Sequence, residues 1–154
     1  MPYVELGCRG VLCLVFLAAL AGKVTGWRAF VSSVPGLAPW LPAAPVAVAV
    51  VIGEGAAVVL LLLGERAGFV LAAVLTAAFA TAILLALRRG SAAVCRCFGV
   101  TAAPLSRAQI VRNLLLIAVA VTGWAAPGGS VEPAGAALAL VAAAVLAAVL
   151  VLFD

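Results

Sequence analysis

Two stretches of this chain, Phe69–Leu87 and Ala134–Phe153, run without a single charged residue. A helix needs about 20 mostly apolar residues to cross the hydrocarbon of a bilayer. Inside lipid each backbone amide must be satisfied within the spanning structure, which restricts the choice to helices or closed barrels. Three further segments reach similar length and apolarity: about 6–26, with its apolar centre from Val11 to Gly22, then 43–63 and 106–124. No internal repeat links the five. Composition agrees. Of 154 residues, 68% are hydrophobic and 9% charged, whereas soluble domains carry about a quarter charged residues. Too little polar surface is left to cover a soluble core. The expectation is an all-α integral membrane protein: a bundle of four to five transmembrane helices in which residues 1–154 form one domain. Its first partner is the lipid bilayer. The Ala, Val and Leu excess fits a GC-rich bacterial genome, hence a multi-pass protein of a bacterial inner or plasma membrane. The first and fifth spans are expected at the periphery of a four-helix core.

The connections differ in kind. Segment 27–42 holds Trp27, Trp40 and the prolines Pro35, Pro39 and Pro42. It reads as an interfacial loop with aromatic anchors broken by proline. Gly64-Glu65-Arg66 and Pro127-Gly128-Gly129-Ser130 read as turns. The longest polar connection, 88–106, ends in Pro104 and a Ser106/Gln109 pair at capping-box spacing. Arg9, an apolar run and Ala19-Leu20-Ala21 resemble a signal-peptide cleavage pattern, but the partly acidic n-region argues against cleavage.

With five spans, Arg9 and Arg66 fall on one side, and Lys23, Arg28, Arg88, Arg89, Arg96, Arg107 and Arg112 on the other. The positive-inside rule would place the 88–106 connection in the cytoplasm. Basic residues buried in a site would be poor topology votes, so orientation stays open. The net charge of +4, spread over loops at one face, suits anionic head groups and gives no reason to expect nucleic acid.

Glu54 sits halfway down the second span, between Gly53 and Gly55. A carboxylate there costs a few kcal/mol unless it is paired or protonated. It is either a structural glutamate bonded to a neighbouring helix or a proton-handling or ligand-binding group. The flanking glycines would allow close helix approach. Lys23, at the end of the first span, and Arg112, early in the fourth, lie within side-chain reach of it. Geometry allows a Lys23–Glu54 or an Arg112–Glu54 pair; the other reading of each cation is snorkelling to head groups. Asn113 should seek a partner on another helix.

Cys95-Arg96-Cys97 is the sharpest local pattern. Thiols one residue apart can close a small, strained and easily reduced disulfide. Arg96 between them favours thiolate. Cys8 and Cys13, near the opposite end of the first helix and five apart, are not on one helical stripe and read as small packing residues. The chain has no histidine, so neither a Ser-His triad nor a Cys/His zinc site is expected. A two-thiolate soft-metal site is a minor rival.

Cys95-Arg96-Cys97-Phe98-Gly99, then Pro104-Leu105-Ser106 and Val111-Arg112-Asn113-Leu114-Leu115-Leu116, resemble the MauE family of methylamine-utilisation membrane proteins, within a wider MauE/DoxX group of redox-associated membrane proteins. Lys23, Pro45 and Glu54 also match. The likeness runs from about residue 8 to 124. It implies a DoxX-like helix bundle and a thiol–disulfide oxidoreductase function, with Cys95 and Cys97 as the redox pair. Arg112, Glu54 and Lys23 would form a polar lining, with Arg96 and Asn113 as modulating neighbours. The implied partner is a thioredoxin-like, MauD-type protein. The implied outcome is maturation of disulfide-containing proteins, methylamine dehydrogenase in the namesake system. No cofactor motif is evident; a quinone within the bundle could serve as electron carrier. The alternative is a non-enzymatic transporter or assembly factor built on a polar pocket around Glu54.

Overall fold

The structure is a computed structural model that describes residues 2–90, 94–95, 103–104, 106–130 and 132–152. The helices in chain order are α1 (Pro2–Thr25), α2 (Trp27–Leu37), α3 (Ala43–Leu62), α4 (Arg66–Arg88), α5 (Arg107–Ala125) and α6 (Pro133–Leu152). Five of them, all but α2, are long and apolar enough to cross a membrane. Their ends fall within a few residues of the expected spans.

Lipid is as apolar as a leucine side chain, so helix association here rests on close packing of small residues. Ala47, Ala57, Ala72 and Ala86 are completely enclosed between helices. Large aliphatics such as Ile52, Val59, Leu62, Val74 and Leu138 face outward. Gly123 of α5 shows how tight the fit is. A Cβ there would run into the Phe69 ring and Cys8.

The core corrects one expectation. α1 is central: Val11, Leu12, Val15 and Phe16 are buried, and α3, α5 and α6 all pack on it. Its apolar face is wide enough to serve three neighbours, which a peripheral helix would not require. α6 occupies the periphery, as expected, against α1.

The loop expected over 27–42 is also corrected. Trp27–Leu37 is helical, with Pro35 in its last turn. Ser32 and Ser33 donate their hydroxyls to carbonyls of the preceding turn, Ala29 O and Phe30 O. Phe30 and Val34, one turn apart, form an apolar stripe that buries against Ala47 of α3. That pairing holds a helix which proline content alone argued against. The helix stops at Ala38, which leaves the helical region (φ −141°, ψ 78°) in front of Pro39, since the residue before a proline disfavours α geometry.

The 88–106 connection contains a small ladder, a feature the helix-only reading omitted. β1 (Val94–Cys95) pairs antiparallel with β2 (Ala103–Pro104), Cys95 opposite Ala103. α5 then starts at the expected capping box, where Ser106 N donates to Gln109 Oε1 at 3.3 Å. At the opposite face, Gly64 turns the chain with φ +84°. Arg9 closes that turn by donating to Leu61 O (3.0 Å) and Gly64 O (3.2 Å), and it pairs with Glu5.

Candidate functional site

The periodicity of four helices brings their polar residues to one place. In α3 the buried positions Ala47, Glu54, Ala57, Val58 and Leu61 form a single stripe, so Glu54 faces inward. In α5 the buried stripe is Gln109, Arg112, Asn113, Leu116, Ala120 and Gly123; its polar members lie toward the core, one turn above apolar ones. Phe16, Ala19 and Lys23 lie on the matching face of α1. Thr76 adds a hydroxyl from α4, donated to Ala72 O of its own helix at 2.7 Å.

Lys23 Nζ and Glu54 Oε1 meet at 2.7 Å, with both side chains about 1–2% exposed. Of the two pairings that geometry allowed for Glu54, the Lys23 one is formed. The snorkelling alternative for Lys23 is overturned. Reaching inward satisfies a carboxylate that would otherwise stand alone among apolar helices. The ammonium is also flanked by two rings, its Nζ 5.5 Å from the Phe30 centroid and 5.4 Å from that of Phe79. Cation–π attraction strengthens when water is excluded.

Arg112 is buried as well and lines the same small cavity as Lys23, Glu54, Thr76, Phe79 and Asn113. The cavity has about 30 Å³ of room for water centres, enough for one or two ordered waters. Glu54 Oε2 has no hydrogen-bond partner among the described residues. Asn113 donates Nδ2 to Gln109 O at 2.7 Å. Its partner is therefore on its own helix, contrary to expectation: the i−4 carbonyl takes the amide, a local bond open to an Asn inside a helix. Of the two glycines beside Glu54, Gly53 approaches Leu75 closely, while Gly55 has nothing near its α-carbon's open side. Only the first half of the close-approach expectation holds.

Of the cysteine pattern, only the backbone of Cys95 is described, in β1. β1 carries Cys95 and packs near α2, the helix that follows Lys23. Cys95 enters through its backbone pairing; Arg96 and Cys97 lie outside the described residues. At the opposite end Cys8 is half-buried and Cys13 buried, both as free thiols. Cys13 belongs to the main apolar core and Cys8 packs against it, in keeping with their expected packing role.

The sequence reading missed Thr76, Phe30 and Phe79. Thr76 was visible as a polar residue at the buried spacing of α4. Phe30 required recognising α2 as a helix. Phe79 carried no signal separable from core packing.

These features define a polytopic helical membrane protein with a buried, charged pocket among α1, α3, α4 and α5. The sequence model of the family described as "Methylamine utilisation protein MauE" matches residues 1–126, and the chain belongs to this family. The match spans α1 to the end of α5, the whole pocket and the cysteine connection, and stops before α6. No curated protein and no solved structure matches the chain.

Proposed function

We propose that this protein is a membrane thiol–disulfide redox carrier of the MauE type, with Cys95 and Cys97 as its cycling pair. The observation that carries the reading is the backbone ladder Cys95↔Ala103. It supports the reading by putting the backbone of Cys95 in β1, which packs near α2, the helix that follows Lys23.

In the exchange, a thiolate of the pair attacks one sulfur of a partner's disulfide. A mixed disulfide forms and the partner's other sulfur leaves as thiolate. The second thiol of the pair then attacks the mixed disulfide, which releases the partner as a dithiol. One disulfide is broken and one made, and the reverse sequence oxidises the partner. Arg96, between the two cysteines in sequence, would favour the attacking thiolate, and the short spacing would keep the resulting ring labile. The partner class is a thioredoxin-like, MauD-type protein. The outcome is support for maturation of disulfide-containing proteins in methylamine utilisation, in a bacterial cell membrane.

The test is Cys97→Ser. It should leave the helices intact, abolish turnover and trap a mixed disulfide through Cys95. If both single-cysteine variants support a deletion strain fully, the redox reading is wrong.

A second reading is favoured by the buried Lys23–Glu54 pair. There the protein is a transporter or assembly factor and the pocket is its working part. Glu54→Gln would then cripple it while the cysteines are dispensable.

A further inference from the structure

The end of the bundle that carries α2 has cations without carboxylates. Arg28 on α2, Arg88 and Arg89 at the end of α4, and Arg107 at the start of α5 are all exposed. Among the described residues no acidic side chain answers them. Glu5, Glu65 and Glu132 sit by the starts of α1, α4 and α6, the end that Arg9 closes, and Glu54 is taken by Lys23. Below this rim α2, α3 and α4 enclose an apolar groove with about 200 Å³ of room for water centres. Leu37, Ala38 and Leu41 line it at the rim, and it runs along α3 and α4 as far as Val50 and Leu75. Leu75 lies about 20 Å from Arg88 along α4 at helical rise. Phe30 and Phe79 shut the groove off from the Lys23 ammonium, so its lining is apolar throughout. Leu41 and Ala78 of that lining are exposed, which leaves a side opening toward the bilayer. One cation is anchored at the rim. Arg89 Nη2 donates to Leu37 O at 2.7 Å, and its guanidinium lies 4.8 Å from the Trp40 ring centroid.

We infer that groove and rim together bind one anionic phospholipid, with an acyl chain in the groove and the phosphate against Arg89. The site uses no cysteine and is independent of the redox reading above. Each part of the lipid meets matching chemistry. A lining without polar groups suits a hydrocarbon chain. At the rim the Leu37 carbonyl takes one of the five N–H donors of an arginine, and the guanidinium fork fits a phosphate. Trp27 and Trp40, both exposed, carry the ring type that settles at head-group depth, which is where a phosphate stands. Arg88, next in the chain, adds charge. Near a membrane surface each basic residue strengthens binding to anionic lipid about fivefold. A rim with no carboxylate beside it has nothing to hold the ammonium of a zwitterionic head group. An arginine that merely snorkels needs no groove beneath it, and a groove alone takes any chain. The two together select a lipid by head and tail.

The test titrates the full-length chain in detergent with phosphatidylglycerol, or with phosphatidylcholine of the same chains, and reads bound lipid by native mass spectrometry. The expected result is one phosphatidylglycerol held per chain, at least about tenfold more tightly than phosphatidylcholine. Arg88→Gln/Arg89→Gln should cut that preference to about threefold or less. Arg66→Gln, exposed at the opposite end of α4, should leave it unchanged, and Arg89→Lys should keep most of it. The preference is a ratio, so a mere loosening of α2 would weaken both lipids and leave the ratio as it was. Ala78→Leu and Ala82→Leu, made separately to fill the groove, should each weaken both lipids at least about fivefold, since a larger side chain and an acyl chain overpack the same space. Equal binding of the two lipids by the unaltered protein overturns the inference. A preference that survives the loss of both arginines overturns it too. So do groove-filled variants that bind as the parent does, because the phosphate would then rest on surface charge with no chain behind it.

Discussion

Replacing Lys23 with Met should destabilise the bundle by about 3 kcal/mol. The ion pair is closed at 2.7 Å and both partners are essentially inaccessible to solvent, so water does not screen the loss. Removing one member of a buried pair costs about 3–5 kcal/mol, mostly because the other charge is stranded. Insertion scales put a lone charge mid-membrane at about 2.5–3.5 kcal/mol. Arg112 lines the same cavity and offsets part of the stranding, so the lower end of the range applies. Met keeps the side chain's length between Phe30 and Phe79, so packing changes little. The double change Lys23→Met/Glu54→Leu removes the stranded charge. It should recover at least about 2 kcal/mol of the single-mutant loss, since apolar replacement of a whole buried pair is often neutral. The assay is reversible unfolding in mixed micelles, read by tryptophan fluorescence and run as a double-mutant cycle. A single-mutant cost below about 1 kcal/mol, or additive losses in the double mutant, would refute the argument that the pair is held for charge satisfaction.

Other expectations follow from the packing. Gly123→Leu drives a side chain into Phe69 and Cys8 and should lower stability by about 1–3 kcal/mol through overpacking, measured by thermal melting in detergent. Phe30→Ala removes the residue that holds α2 on Ala47. A loss of about 3 kcal/mol is expected for a buried phenyl group, and protease cleavage within 27–42 should rise while the other helices persist. Arg9→Ala removes the side-chain donor to Leu61 O, which keeps the Gly64 N–H, and to the exposed Gly64 O. It should cost about 0.5–1.5 kcal/mol and loosen the α3–α4 turn in hydrogen exchange.

The spans were legible because apolar run length is a property of the bilayer, not of the particular fold. Glu54 was legible for the same reason, since a carboxylate inside such a run demands a partner. The choice of Lys23 over Arg112 was not. Both cations lie within reach in sequence terms, and only the rotation of α1 and α5 about their axes decides between them. α2 was hidden by its prolines, whose local preference yields to the burial of Phe30 and Val34. The centrality of α1 could not be read because its middle turns, Val11 to Gly22, are apolar on every side. In lipid, hydrophobicity marks the solvent-facing surface as strongly as the core, and only the small residues, Ala47, Ala57 and Ala72 among them, separate the two.

The direct test of the redox account is a count of thiols. The protein is trapped in intact membranes with acid, denatured, and alkylated with a mass tag before and after reduction. Oxidised protein should take two tags, on Cys8 and Cys13, and four once reduced, with the second pair mapping to Cys95 and Cys97. Four tags under every condition, including treatment with an oxidant, would contradict the account.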